Sequence, residues 1–347
     1  MRYHAENGGL LRADDLADFR VGIEPPVHAQ IDGIDIYTCG PWCQGPMLLQ
    51  ALGLLAGSDL ATHGHNGWTY VHRVTEALKL AFADRHQYYG DPRFVDVPMD
   101  ELLSPAYAAA RRTLIRDDEA WPEMPPPGDP FGPGAIASGT RSAAASAGEP
   151  RAALDTSYLC VIDRHGNAVS ATPSDGSYDT PVIPGTGLCP SSRGSQSWAD
   201  PTHPSGVAPG KRPRLTPNPA LAMRDGEFIM PFGTPGGDIQ VQAMMQVFLN
   251  VVAFGMDVQA AVEAPRFATQ SYPDSFEPHS YYPGRLNLEA RLPEATGTAL
   301  AALGHDVHWW PEWIWQAGAV CLIKSDLQNG ILSAGADPRR PCYALGW

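Results

Sequence analysis

The sequence predicts an α+β fold, and three observations predict it. Short strands and hairpins bounded by turn residues follow Thr156. Long helix-period apolar patterns occur before Pro92 and after Gly237. A segment almost devoid of large apolar side chains, residues 117–150, separates the two parts. With 347 residues and 44% hydrophobic content, the chain is long enough for one large or two small domains with a substantial core.

In chain order, residues 33–38 alternate as a strand and feed a helix at 44–56, where Met47, Leu48, Ala51, Leu54 and Leu55 recur at helical spacing. Residues 67–88 form the longest helical pattern. Val71, Val74, Leu78 and Ala81 make one stripe, Gly90-Asp91-Pro92 stops it, and its polar residues are expected to face solvent or the later part of the chain. From Asp117 the composition turns to Pro125-Pro126-Pro127 and then Gly, Ala and Ser. Such a run cannot bury a core and is expected to be a mobile linker.

Residues 156–163 read as a strand. Tyr158, Cys160 and Ile162 on one face and Leu159 and Val161 on the other suit burial in a sheet interior. Arg164-His165-Gly166 is a three-residue hairpin loop with Gly166 left-handed, and residues 167–172 return. With Asp163 opposite Asn167, that register sets Thr156 across from Ser174 at the open end, hydroxyl to hydroxyl. A threonine hydroxyl needs a base beside it. If the chain were cut before Thr156, the new α-amine, with a pKa of roughly 7.7–8.0, would be that base. The plainer reading of Thr156 is β propensity alone.

Residues 228–232 form a strand ending in Gly233-Thr234-Pro235-Gly236-Gly237, followed by an apolar helix at 239–254. N–H groups at a helix start are unpaired and point outward, so Gly236 and Gly237 are candidates to bind an oxyanion; as a bare Gly-Gly turn they would be structural. Asp238 reads as an N-terminal helix residue. The end of the chain reads as a helix at 293–303 and strands at 307–310, 318–324 and 331–336, an antiparallel close to the domain. Trp309, Trp310, Trp313 and Trp315 suit a pocket wall, a core or a subunit contact.

A net charge of -14 without a basic cluster argues against nucleic acid or an anionic membrane and favours a small-molecule partner. The most apolar run, 243–256, is interrupted by Gln246 and Asn250 and is shorter than the about 20 residues that span a bilayer. The six scattered cysteines are expected to be free thiols, and Cys39 and Cys43 have neither redox nor zinc spacing. His63, His65 and His72 are the only histidine cluster. No nearby Cys or Asp completes a set, so no metal and no cofactor are expected. Met1-Arg2-Tyr3-His4 leads into a polar segment without a signal peptide.

The stretch LDTSYLCVIDRHGNAVSATPSDGS, residues 154–177, resembles the nucleophile region of the gamma-glutamyltranspeptidase family, whose precursors cleave themselves before a threonine that then does the chemistry. NGGLLRADDLADF and AFADRHQYYGDPRFVDVP upstream resemble the end of that family's large subunit. GKRPRLTPNPAL, GTPGGDIQ and EAPRF downstream resemble its small subunit, in the family's order. The resemblance implies an N-terminal-nucleophile (Ntn) hydrolase fold, an αββα four-layer sandwich made by two pieces of one precursor. Residues 1–116 would be the end of the large subunit, 117–155 a linker ending at the cleavage site, and 156–347 the small subunit. It implies Thr156 as nucleophile, Ser174 as its hydroxyl partner and Gly236 and Gly237 as oxyanion donors. The partners would be a small amide substrate, water or an amine as acceptor, and each cleaved piece for the other.

Family precursors extend further at the N-terminus and keep there an export signal and an arginine for the substrate carboxylate, so cytoplasm and periplasm both stay open. The sequence departs from the transpeptidase pattern where a glutamyl group is gripped. Gly176 stands in place of an asparagine, residues 191–197 (SSRGSQS) carry no acid for a substrate amine, and Leu215-Thr216 replaces two serines. Ser192, Arg193, Ser195 and Thr216 are the expected substrate contacts. A lost aspartate and a gained Arg193 point to a substrate with a carboxylate and no α-amine, as in the oxamate and acylase branches. Other readings are a true gamma-glutamyltranspeptidase or glutathione hydrolase, an inactive structural or binding relative or truncated fragment, and a metal hydrolase using His63, His65 and His72.

Overall fold

The computed structural model describes residues 1–132, 136, 137, 141, 143–148, 156–175 and 180–347. Asp155 and Gly176 lie outside these. Two short helices, α1 (Arg2–Glu6) and α2 (Ala13–Asp18), precede a hairpin of β1 (Val27–Ile31) and β2 (Ile34–Thr38). Then come α3 (Gly45–Leu55), the long α4 (Trp68–Tyr88), α5 (Met99–Leu102) and α6 (Pro105–Arg112). After Thr156 the order is β3 (Leu159–Ile162), β4 (Ala168–Ala171), β5 (Ala220–Arg224), β6 (Phe228–Gly233), α7 (Ile239–Val252), α8 (Val258–Glu263) and β7 (Phe267–Thr269). β8 (Arg285–Glu289), α9 (Glu294–Ala302), β9 (Asp306–Trp310), β10 (Cys321–Asp326) and β11 (Ile331–Ala336) complete it.

One sheet has the order β1-β2-β5-β6-β10-β11 with every neighbouring pair antiparallel, so strands from both ends of the chain share it. Alternation along β6 separates its two faces. Phe232 stacks on Phe248 of α7 at 5.8 Å, while the next position, Gly233, abuts the Tyr158 ring, which a Cβ there would meet at 2.3 Å. The helices therefore cover one face and the β3–β4 hairpin the other. α4 packs behind α3, and a three-stranded sheet β7-β8-β9 closes the far side against α4 and α7.

Several expectations are corrected. β9 runs parallel to β8 and does not continue into β10 and β11. A 3-10 turn at Trp315–Ala317 and Gly318, at φ 84°, carry the chain across to the other sheet. Leu159 and Val161 are each 48% exposed, so β3 buries one face only. Of the two settings expected for the polar residues of α4, the later part of the chain takes His72 and Arg85, which meet His305 and Asp238, and only Arg73 among the charged ones is partly exposed. The helix is wrapped by α3, α9, β7 and the segment that follows α6, and its charges are buried in pairs: Glu76 with Lys79 at 2.8 Å, and Asp84 with Arg111 at 3.2 Å. That following segment is held, not loose, through residue 128. Trp121 N–H donates to Glu76 at 3.0 Å, Lys79 Nζ donates to the Trp121 carbonyl at 2.7 Å, and Gly128 N–H donates to Asp84 at 2.7 Å. Backbone polar groups that cross a buried helix need partners, and the α4 charges supply them.

All six cysteines are free. No helix among the described residues is long and apolar enough to cross a membrane.

Candidate active site

The β3–β4 pairs run from Leu159 opposite Ala171 to Ile162 opposite Ala168, the register that the Gly166 loop imposes, with Gly166 at φ 83°. Beyond the last pair the Ser157 N–H donates to the Pro173 carbonyl at 3.0 Å, so the register holds to the open end. There Thr156 Oγ1 and Ser174 Oγ lie 2.7 Å apart, both half-buried.

Ser174 also accepts a hydrogen bond from Arg193. Arg193 opens a 3-10 turn, Arg193–Gln196, and is buried with its guanidinium 5.3 Å from the Phe276 ring centroid. Its other nitrogen donates to Thr216 Oγ1 at 3.3 Å and reaches Gln196 Oε1 at 3.5 Å, and Gln196 Nε2 donates to the same Thr216 hydroxyl at 3.3 Å. Thr156, Ser174, Arg193 and Thr216 are thus one hydrogen-bonded chain from three separate segments. Ser192 sits just before the turn, where its carbonyl accepts the Ser195 N–H at 3.0 Å. Ser195 itself is exposed, and its carbonyl accepts from the Glu277 N–H at 2.8 Å.

Two residues from Thr156, the Tyr158 ring rests on Gly233, where β6 runs into the Gly236-Gly237 turn. Gly236 and Gly237 have φ of 131° and 58°, conformations that a side chain resists. The Gly236 carbonyl accepts from Ile239 N–H at 3.0 Å and the Gly237 carbonyl from Gln240 N–H at 3.2 Å. Carbonyl and N–H point oppositely across a trans peptide. With the Gly236 carbonyl turned into α7, the Gly237 N–H is aimed away from it. Among the described residues no group accepts from the Gly236 or Gly237 N–H. The arrangement holds two paired hydroxyls, a guanidinium that donates to one of them and, at the start of α7, two N–H groups without an acceptor among the described residues, which are groups of the kind acyl transfer uses.

The family's sequence model, described as gamma-glutamyltranspeptidase, matches residues 2–347. The chain belongs to the gamma-glutamyltranspeptidase family. It is 34% identical over 310 residues to the acylase ACY 1 proenzyme of a Pseudomonas species, covering 88% of this chain and 49% of that one. It is 31% identical to the oxamate amidohydrolase proenzyme of Klebsiella pneumoniae, covering 96% and 57%. The crystal structure of cephalosporin acylase from Bacillus halodurans matches with a TM-score of 0.82 at 28% identity, covering 100% of this chain and 57% of that one. The chain therefore spans about half the length of the curated relatives it matches. Its α+β architecture is that of the Ntn-hydrolases, shared with this cephalosporin acylase.

In this gamma-glutamyltranspeptidase-family chain, sequence reading missed the support beneath the turn. Asp238 stands at the N-terminus of α7, as expected, but what its side chain does there was not foreseen. Its side chain makes no cap bond, pairs with the buried Arg85 of α4, and accepts from Ser275 N–H at 2.7 Å and Ser275 Oγ at 2.8 Å. A signal was present, since Arg85 follows Leu78 and Ala81 at helical spacing and so interrupts an apolar stripe with a charge that needs a partner. Gln44, at the start of α3, was missed as well.

The histidine trio does not assemble. His65 contacts Asn250 at 3.0 Å, whereas His72 meets His305 at 2.9 Å and the Arg116 carbonyl at 2.6 Å. Among the described residues the group with metal-ligand spacing is His72, Glu76 and His305, a different set. Lys79 already places a cation 2.8 Å from the Glu76 carboxylate, which disfavours a second one there.

A second histidine group buttresses the Arg193 turn. His279 stacks on Trp198 at 3.8 Å, Trp198 on His203 at 4.4 Å, and His86 meets Trp198 edge-on at 5.0 Å. Burial holds all three imidazoles below their ordinary range, reinforced for His86 and His203 by the Arg214 charge, and His86 is pushed down to about 3.

Proposed function

We propose that this chain carries the nucleophile half of a self-processing amidohydrolase that cleaves a small, carboxylate-bearing amide. The observation that carries the reading is the 2.7 Å contact between the Thr156 and Ser174 hydroxyls, with Arg193 donating to Ser174. In this reading the precursor is cut between Asp155 and Thr156, and residues 1–116 and 156–347 stay associated across the six-stranded sheet that both supply.

Chemistry then runs in two acyl steps. Thr156 Oγ1 attacks the amide carbon while its proton passes to the freed Thr156 amine. The Gly236 and Gly237 N–H groups hold the oxyanion, the C–N bond breaks, and the amine leaves with the proton. Water adds to the threonyl ester by the same route in reverse and releases the acid. An amine in place of water would complete a transfer.

Arg193 is the proposed determinant of a carboxylate substrate. Its planar fork suits a carboxylate and repels an ammonium, and the site turn that bears it contains no acid. The chain is similar to acylase and oxamate amidohydrolase proenzymes and to glutathione hydrolase proenzymes alike, so the choice of this branch rests on Arg193 and the acid-free turn.

Intact-mass measurement of the full-length translation product tests the reading. Two chains are expected, the lighter beginning at Thr156, with amide hydrolysis present. A wild-type product that folds and remains one chain overturns it. Thr156→Ala should stay uncut and inactive.

A further inference from the structure

Gln44 stands where Ser, Thr, Asp or Asn usually turns back to cap a helix, yet its side chain makes no cap to α3. It is fully buried and points into the site instead. Its Nε2 donates to the Thr216 carbonyl at 2.7 Å and to the Gly237 carbonyl at 2.8 Å, and its Oε1 accepts from Arg85 at 3.1 Å. These neighbours allow one orientation of the amide. A guanidinium only donates, so the oxygen must face Arg85, and the two carbonyls require the NH2 group.

Arg85 cannot drift from this post. It is ion-paired to Asp238 and lies over the Phe82 and Tyr272 rings at 4.6 and 5.4 Å. Gln44 and Asp238 thus hold the Gly237–Asp238 peptide from two sides through one arginine. That peptide needs holding, because Gly236 and Gly237 have no side chains to fix their own torsions and glycine samples both signs of φ. Rotation about Gly237 would swing its carbonyl off Gln44 and re-aim the neighbouring N–H.

We propose that Gln44 is a positioning residue for the oxyanion donors: by tying the Gly237 carbonyl to the Thr216 backbone, its amide fixes the aim of the Gly236 and Gly237 N–H groups relative to the substrate wall. The inference rests on the reading of those glycines as oxyanion donors. A residue that sets this aim acts on the transition state and leaves substrate binding alone.

The test uses the full-length enzyme, with Gln44→Met, which keeps the length and removes the hydrogen bonds, Gln44→Glu, which keeps the shape, and Gly237→Ala as the control. Each is assayed on whichever of oxamate or a short-acyl p-nitroanilide the wild type turns over. Both Gln44 variants are expected to lose kcat by about tenfold to a hundredfold with KM within about twofold, and Gly237→Ala to lose more. If Gln44→Met fails to fold, the isosteric Gln44→Glu supplies the measurement. Unchanged kcat at Gln44 with a crippled Gly237→Ala overturns the role of Gln44 alone. Unchanged kcat in all three overturns the oxyanion assignment beneath it. A rise in KM with kcat intact makes Gln44 a substrate-side residue and overturns the proposal as well.

Discussion

Arg193 and Thr156 are joined through a single atom, the Ser174 hydroxyl oxygen, which accepts from the guanidinium and lies 2.7 Å from Thr156 Oγ1. A guanidinium cannot accept, so Ser174 is the acceptor in that bond and its oxygen carries a charge-assisted contact beside the threonine hydroxyl, where either hydroxyl can donate to the other. Ser174→Ala is therefore expected to slow turnover by on the order of tenfold to a thousandfold while the precursor still folds. Steady-state kinetics on the processed enzyme decide it, and an unchanged kcat would remove Ser174 from the site.

Substrate choice should follow Arg193. Leaving a substrate ammonium beside it unpaired costs several kcal/mol, about enough to erase useful affinity. Comparison of kcat/KM for oxamate and short-acyl amides against γ-glutamyl-p-nitroanilide should favour the former, and Arg193→Ala should narrow the ratio. A preference for the γ-glutamyl substrate with Arg193→Ala harmless would return the assignment to an ordinary transpeptidase.

The ion pair beneath the glycine turn should matter for stability. Arg85 and Asp238 are both buried, and Asp238→Asn removes the carboxylate with which the guanidinium is paired. Urea unfolding should show a loss of about 3 to 5 kcal/mol. A loss below about 1 kcal/mol, typical of exposed pairs, would contradict the buried pairing.

Acid should loosen the Arg193 turn. The imidazoles of His86, His203 and His279 are held below their ordinary values, so the folded state resists the proton that the unfolded chain accepts near the ordinary histidine value of about 6.5. The stabilisation is complete above that value and is lost as pH falls from there toward about 3, the folded value of His86. The melting temperature, followed by intrinsic tryptophan fluorescence, should drop over this window, and His203→Gln should flatten the drop. A profile that is level through the window, or one that declines only above neutrality, would show that the stack is not the acid-sensitive element.

How far the sequence reached depends on the range of each interaction. The hairpin register was legible because it is local: a three-residue loop with Gly166 left-handed leaves one pairing, and that pairing sets Thr156 against Ser174. The strand-to-helix turn at Gly236-Gly237 was legible for the same reason, since glycines between a strand pattern and an apolar helix admit few other conformations. What the sequence could not show was which distant segments close around those points. Gln44 reaches Thr216 and Gly237 across more than 170 residues of chain. Asp238 looked like a helix-end acid because helix ends often carry one, and only the packing of α4 against that end, bringing Arg85 within reach, made it half of a buried pair. The α4 charges stayed open for a related reason. A helix pattern shows which face is apolar but not whether solvent or the rest of the chain meets the polar one, and packing on the other sides settled it by burying Glu76, Lys79 and Asp84 in pairs. Local torsions and periodicity thus determined the hairpin that sets Thr156 against Ser174 and the glycine turn, while the tertiary structure alone decided what holds them, because desolvated charge and amide contacts form only once chain segments far apart in sequence are packed together.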